Sequence, residues 1–196
     1  YIEDVARRLA AAGFLALAPD GLYPVGGYPG NDEEGKLLQD KLKPVQLQGD
    51  MLNSAIFLKN HALSNGKLGV TGFCWGGRIT WLYAAHNPQL KAAVAWYGRV
   101  EGATNANNPQ HPVDLAGQLK APVLGLYGSA DTGIPMDAVE KMQAALATGN
   151  EAAKRSSIHV YANAPHAFHA DYRPSYREAE AKDGWQKMLQ WFNTLK

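Results

Sequence analysis

Apolar residues recur along this chain in two periods. Ile2, Val5, Ala6 and Leu9 fall three and four residues apart, the spacing that lines one face of a helix, and Gly13 stops it. The unbroken apolar run over residues 14–18 reads as a buried strand. Residues 19–32 are rich in Gly and Pro and predict a loop. Residues 45–61 predict a helix with Leu52, Ala55 and Ile56 on one face, and Asn65-Gly66 turns the chain into a strand over 67–71. A helix over 77–85, halted by Asn87-Pro88, a strand over 92–97 and an irregular stretch over 100–119 come next. A strand over 122–127, a helix over 136–147 and a strand over 156–161 continue the alternation. The last helix, over 175–193, places Ala181, Trp185, Met188, Leu189 and Phe192 on one stripe.

Strands alternating with helices, each strand nearly all apolar, predict an α/β fold with a mostly parallel sheet covered by helices on both faces. No internal repeat, low-complexity segment or linker divides residues 1–196, so the expectation is one domain.

Composition narrows the function classes. The formal net charge is +1 and no block of like charge occurs, which gives no electrostatic footprint for nucleic acid. No apolar run approaches the roughly 20 residues that span a bilayer, so no membrane partner is expected. One cysteine among 196 residues excludes an internal disulfide and fits a reducing compartment, so a cytoplasmic location is the expectation. The chain opens on Tyr1, with neither Met nor a signal-peptide pattern. Upstream sequence is therefore expected to be absent, and an export signal within it would make the location periplasmic.

The sharpest chemical signal is Gly72-Phe73-Cys74-Trp75-Gly76-Gly77, between a predicted strand and a predicted helix. That is the context of a nucleophile elbow, a turn so tight that small residues must flank the nucleophile. A thiol there stands near the positive end of a helix and ionises readily. The competing reading is a buried structural cysteine, the usual fate of a free thiol. A nucleophile needs a base, and His166 follows the last predicted strand, at the same carboxyl edge of a parallel sheet. His61, His86, His111 and His159 lie in helix ends, an irregular stretch or a strand and fit less well. His169, three residues past His166, suggests a metal pair, but no third ligand is evident, so neither metal nor cofactor is expected. Asp131 leaves the preceding strand at that edge and would orient the base; taken alone it reads as a turn or cap residue, and Asp137 is the fallback. The order thiol, acid, histidine is that of α/β-hydrolases.

With these residues in place the chain resembles the dienelactone hydrolase family (carboxymethylenebutenolidases) over essentially its whole length. The matching features are Ala18-Pro19-Asp20, Gly66-Lys67-Leu68-Gly69-Val70 running into the cysteine elbow, Ala121-Pro122-Val123, residues 128–131, and His166-Ala167-Phe168 ahead of the Trp185 helix. The resemblance implies an α/β-hydrolase fold with Cys74 as nucleophile, His166 as base and Asp131 as its orienter. It also implies Trp75 as one backbone oxyanion donor, with the second donor and a glutamate contacting the thiol upstream.

Two departures shape the expectation. Family members hold a substrate carboxylate with arginines, but the loop Gly21-Leu22-Tyr23-Pro24-Val25-Gly26-Gly27 has none, and Ala167 to Ala170 follow His166, with Arg173 further on. The natural substrate therefore stays open within small esters and lactones. Arg99, Tyr97 and Phe168 are the candidate substrate contacts; for Arg99 a surface or structural ion pair competes with anion binding. Family members also begin with further strands. One of them would lie between the strands at 14–18 and 67–71, and without it those two would leave a gap in the sheet. The expected reaction is acyl transfer through a thioester by a monomer or homodimer. A hydrolase-fold protein that binds a small molecule with little or no turnover is the alternative. A redox thiol enzyme lacks a second cysteine to resolve a sulfenic acid.

Overall fold

The computed structural model describes residues 1–196. Its elements, in chain order, are α1 (Ile2–Ala11), α2 (Asp32–Gln39), α3 (Pro44–Asn60), β1 (Leu68–Phe73), α4 (Trp75–His86), β2 (Leu90–Trp96), α5 (Pro112–Leu115), β3 (Val123–Gly128), α6 (Met136–Ala147), α7 (Glu151–Lys154), β4 (Ser157–Tyr161) and α8 (Glu178–Trp191). They fall into two compact units. One comprises Tyr1, Lys67–Gly102 and Gln110–Lys196; the other comprises Ile2–Gly66 and Ala103–Pro109.

The first unit is a sheet of order β1-β2-β3-β4 in which each neighbouring pair is parallel. The register fixes which helix covers which face. Trp96 stands opposite Leu126 and Phe73, and Tyr161 opposite Gly128, so Phe73, Trp96, Leu126 and Tyr161 share one face. Tyr161 donates its hydroxyl to Asp183 of α8 on that face. Tyr127 projects from the other face and accepts a hydrogen bond from Trp81 Nε1 of α4. Helices on both faces explain why β2 and β3 read as continuous apolar runs: six of the seven β2 residues and all six of β3 are buried.

The second unit holds α1, α2 and α3. The apolar run at 14–18 does not form the expected strand, and Leu15 and Leu17 are exposed. β1 pairs with β2 alone. A strand exists only through hydrogen bonds to a neighbour, whereas a helix satisfies its own backbone. Accordingly α3 forms where expected, although on its predicted stripe only Ala55 is buried and Leu52 and Ile56 stay half exposed. α2 lies partly in the stretch that reads as a loop and was not expected; Asn31 caps it by accepting from the Glu34 N–H, ahead of three acidic residues in its first turn.

Candidate active site

Cys74 sits between the last residue of β1 and the first of α4, with φ 55° and ψ −114°. An L-residue held there stores about 1–3 kcal/mol of strain. The surroundings over-determine it. Cys74 N donates to Trp96 O at 3.0 Å, and Cys74 O accepts from Arg78 N at 3.1 Å, the first turn of α4. A β-carbon on Gly72 would lie 2.3 Å from Gly76 O, so the close approach of strand and helix admits only glycine at 72. The bend turns the thiol outward, and Cys74 is exposed. The competing reading of a buried structural cysteine is thereby corrected: the turn presents the sulfur to solvent.

His166 stands in the loop after β4, between Asn163 at φ 59° and Ala167 at φ 60°. Its ring packs edge-on against Tyr97, centroids 5.2 Å apart. Phe168 fixes the loop from below. It is fully buried among Trp96, Tyr97 and Tyr161, and its carbonyl accepts from Arg177 N. Phe168, expected among the substrate contacts, is fully buried and packs edge-on against Tyr97.

Asp131 leaves β3 in a turn whose loop is laced to that of β4. Ser129 N donates to Tyr161 O and Ala130 N to Ala164 O, while Asn163 N donates to Ser129 Oγ. Asp131 itself is 3% exposed. Its Oδ1 accepts from Gly133 N at 2.9 Å, and its Oδ2 lies 2.6 Å from His166 Nδ1. The other ring nitrogen, Nε2, lies 3.2 Å from Cys74 Sγ. Three side chains from three loops thus form one line, from an exposed thiol to a buried carboxylate. Asp137 is exposed, lies within the first turn of α6 and accepts from Ala138 N, so it takes no part.

The electrostatics favour an ion pair. Burial alone pushes the Cys74 thiol up, but the hydrogen bond and charge of His166, the Trp75 backbone N–H and the charge of Arg173 outweigh it, so the thiol titrates below its ordinary value. Burial likewise pulls His166 down, while its hydrogen bonds to Asp131 and Cys74 and their charges carry it up to about 9. Both shifts favour the charged forms, a thiolate beside an imidazolium.

The remaining expected residues divide. Trp75 directs its N–H at the Cys74 sulfur, and Tyr97 flanks His166. Arg99 is exposed after β2, with no carboxylate partner; its charged neighbour is Arg78, a buried guanidinium held by Gln110 O and His111. Arg173, whose charge reaches Cys74, was only noted as lying beyond His166 in the sequence. Nothing in its spacing predicts that reach, because the loop folds back between them.

A parallel sheet carrying this line of thiol, histidine and carboxylate at its carboxyl edge, in the chain order thiol, acid, histidine, is that of an α/β-hydrolase. The chain belongs to the dienelactone hydrolase family, whose model matches residues 1–196. It is 53% identical over 196 residues to a Salmonella typhimurium protein named "Putative carboxymethylenebutenolidase", covering 98% of this chain and 71% of that one. A like-named Escherichia coli K12 protein is 50% identical with the same coverage. The crystal structure of a "Putative Dienelactone Hydrolase" from Klebsiella pneumoniae superimposes with a TM-score of 0.87 at 50% identity, covering 97% of this chain and 80% of that one. No helix is long and apolar enough to cross a membrane.

Proposed function

We propose that the protein hydrolyses a small ester or lactone through a covalent thioester on Cys74. The observation that carries this reading is the unbroken line Cys74 Sγ, His166 Nε2, His166 Nδ1, Asp131 Oδ2, with contacts of 3.2 and 2.6 Å. The thiolate attacks the carbonyl carbon, and the π electrons move to oxygen. The helix-start N–H of Trp75 is the donor nearest the sulfur for the developing oxyanion. Collapse breaks the bond to the leaving oxygen, which takes the Nε2 proton of His166. His166, now neutral, removes a proton from water, the hydroxide attacks the thioester, and the acid leaves as thiolate and imidazolium are restored. Asp131 accepts from Nδ1 and holds the ring in register.

The names of the relatives, carboxymethylenebutenolidases, support an unsaturated lactone as one member of the substrate class. The chemistry needs Cys74 reduced, and an exposed thiolate stays reduced in a reducing compartment. The test is a panel of small esters and lactones with intact-mass detection of the acyl-enzyme. The expected result is turnover, a mass increase equal to the acyl group on Cys74, and loss of both in Cys74→Ala. Turnover that survives Cys74→Ala would sink the reading.

A further inference from the structure

β4 stands at one end of the sheet order, so one of its edges has no neighbouring strand. Ser129 N donates to Tyr161 O, and the register sets Gly125 beside Ile158 and Tyr127 beside Val160. Residues of a parallel strand bond to their neighbour alternately. His159 and Tyr161 therefore face β3, while Ile158 and Val160 turn their N–H and C=O groups outward. No backbone hydrogen bond reaches those outward groups.

A free edge is a template for pairing, and folded proteins guard it with charge, proline, a bulge or a covering element. β4 has no such guard. Ser156-Ser157-Ile158-His159-Val160-Tyr161 contains neither proline nor a formal charge, and its register with β3 runs without a shift. Burial, then the charge of Lys187, pull His159 below its ordinary value against the opposing pull of Asp183, so the strand is uncharged at neutral pH. Residues 158–160 stay partly exposed. An open cleft flanks the strand on each face. Leu124, His159 and Trp191 line one, of about 320 Å³; Leu146, Ala153 and Ile158 line the other, of about 270 Å³. Trp191 buries its Nε1 without a hydrogen-bond partner.

We propose that this edge pairs antiparallel with the same edge of a second copy, giving a two-fold dimer with one continuous sheet. The edge is complementary to itself. Setting Ile158 opposite the partner's Val160, and Val160 opposite the partner's Ile158, gives every outward N–H and C=O at these positions a partner on both copies. A two-fold axis normal to the sheet keeps the faces matched. The Ile158 and Val160 side chains meet on the side of the Leu146 cleft. Ser157 and His159 meet on the side of the Trp191 cleft, where a hydroxyl and an imidazole are acceptors for the unpaired indole N–H. The two His159 rings lie opposite each other at the axis, and neutral rings do not repel. The contact closes on itself and leaves neither copy with an open β4 edge. The inference is independent of the acyl-transfer reading.

Sedimentation and residue-resolved hydrogen exchange across the micromolar range test it. The expected result is a mass of two chains, with amide exchange at Ile158 and Val160 that slows as concentration rises. Val160→Pro removes an outward donor and spares the bonds to β3. His159→Lys sets two cations across the axis. Each is expected to raise the dimer dissociation constant at least about tenfold while the circular dichroism spectrum is retained. If Val160→Pro does not fold, His159→Lys carries the comparison. A mass of one chain throughout would overturn the proposal. A dimer whose dissociation constant is unchanged in the folded variants would overturn it by placing the contact on another surface. Protection of the Ile158 and Val160 amides in a one-chain species would overturn it by giving the edge to another segment of the same chain.

Discussion

His166 Nδ1 lies 2.6 Å from Oδ2 of Asp131, and the two residues arrive there from loops that follow different strands. The carboxylate is buried and its second oxygen is held by Gly133 N, so it has one direction in which to act. The imidazole is partly open to solvent, with Nε2 turned to Cys74. The buried end therefore fixes the ring, and the open end faces the thiol.

Replacing that carboxylate isolates its role. Asp131→Asn preserves shape and is expected to keep the fold while lowering kcat by about two to four orders of magnitude, because an amide neither fixes the tautomer nor offsets the imidazolium charge. Steady-state kinetics alongside circular dichroism check this. Near-normal turnover in a folded variant would remove Asp131 from the mechanism.

The proton equilibria give a pH signature. Raised from an ordinary 6.5 to about 9, His166 binds its proton more tightly folded than unfolded, so its contribution to stability is fully present below pH 6.5 and is lost as pH rises through about 9. The lowered Cys74 thiol contributes with the opposite sign: its share is present above the ordinary thiol value of 9.0 and declines as pH falls through the folded value. The two form one coupled pair, so kcat/KM is expected to fall on an alkaline limb near pH 9, where the imidazolium is lost. A ring titration of His166 by NMR should follow the same limb and drop in Cys74→Ala. A His166 titration at its ordinary value in the intact protein would refute the ion pair.

The lacing of the two loops is open to a small substitution. A β-carbon on Gly128 would fall 2.1 Å from Ala164 O, the carbonyl that accepts from Ala130 N. Gly128→Ala is expected to cost about 1–3 kcal/mol of stability by forcing the backbones apart, and to lower turnover by spreading Asp131 from His166. Urea unfolding and kinetics measure the two effects. An unchanged unfolding midpoint would mean that the approach is looser than described.

Much of this was legible in the residues themselves, because the signals were local. The alternation of short apolar runs with 3.6-residue stripes predicted all four strands of the sheet and the helices α1, α3, α4, α6 and α8 to within a few residues, α6 at its observed bounds. The elbow, too, is local: Gly72, Gly76 and Gly77 around Cys74 specify a strand-to-helix turn, and strand order then sends Asp131 and His166 to the same edge. α2 was missed although its signal, Asn31 ahead of three acids, was local as well; the Gly and Pro before it carried more weight than its cap.

Only the tertiary structure could decide the rest. Whether residues 14–18 become a strand depends on a neighbour to complete the ladder, which no apolar run can specify by itself, and here the strand does not form. The reach of Arg173 to Cys74 and the burial of Phe168 depend on how separate loops fold over one sheet edge. The sequence by itself determined the chemical groups and the edge they share. Their distances, their exposure and the direction in which Cys74 and His166 shift each other's proton equilibria were settled by contacts between residues far apart in the chain, because charge and hydrogen bonding depend on separation in space and not on spacing along the chain.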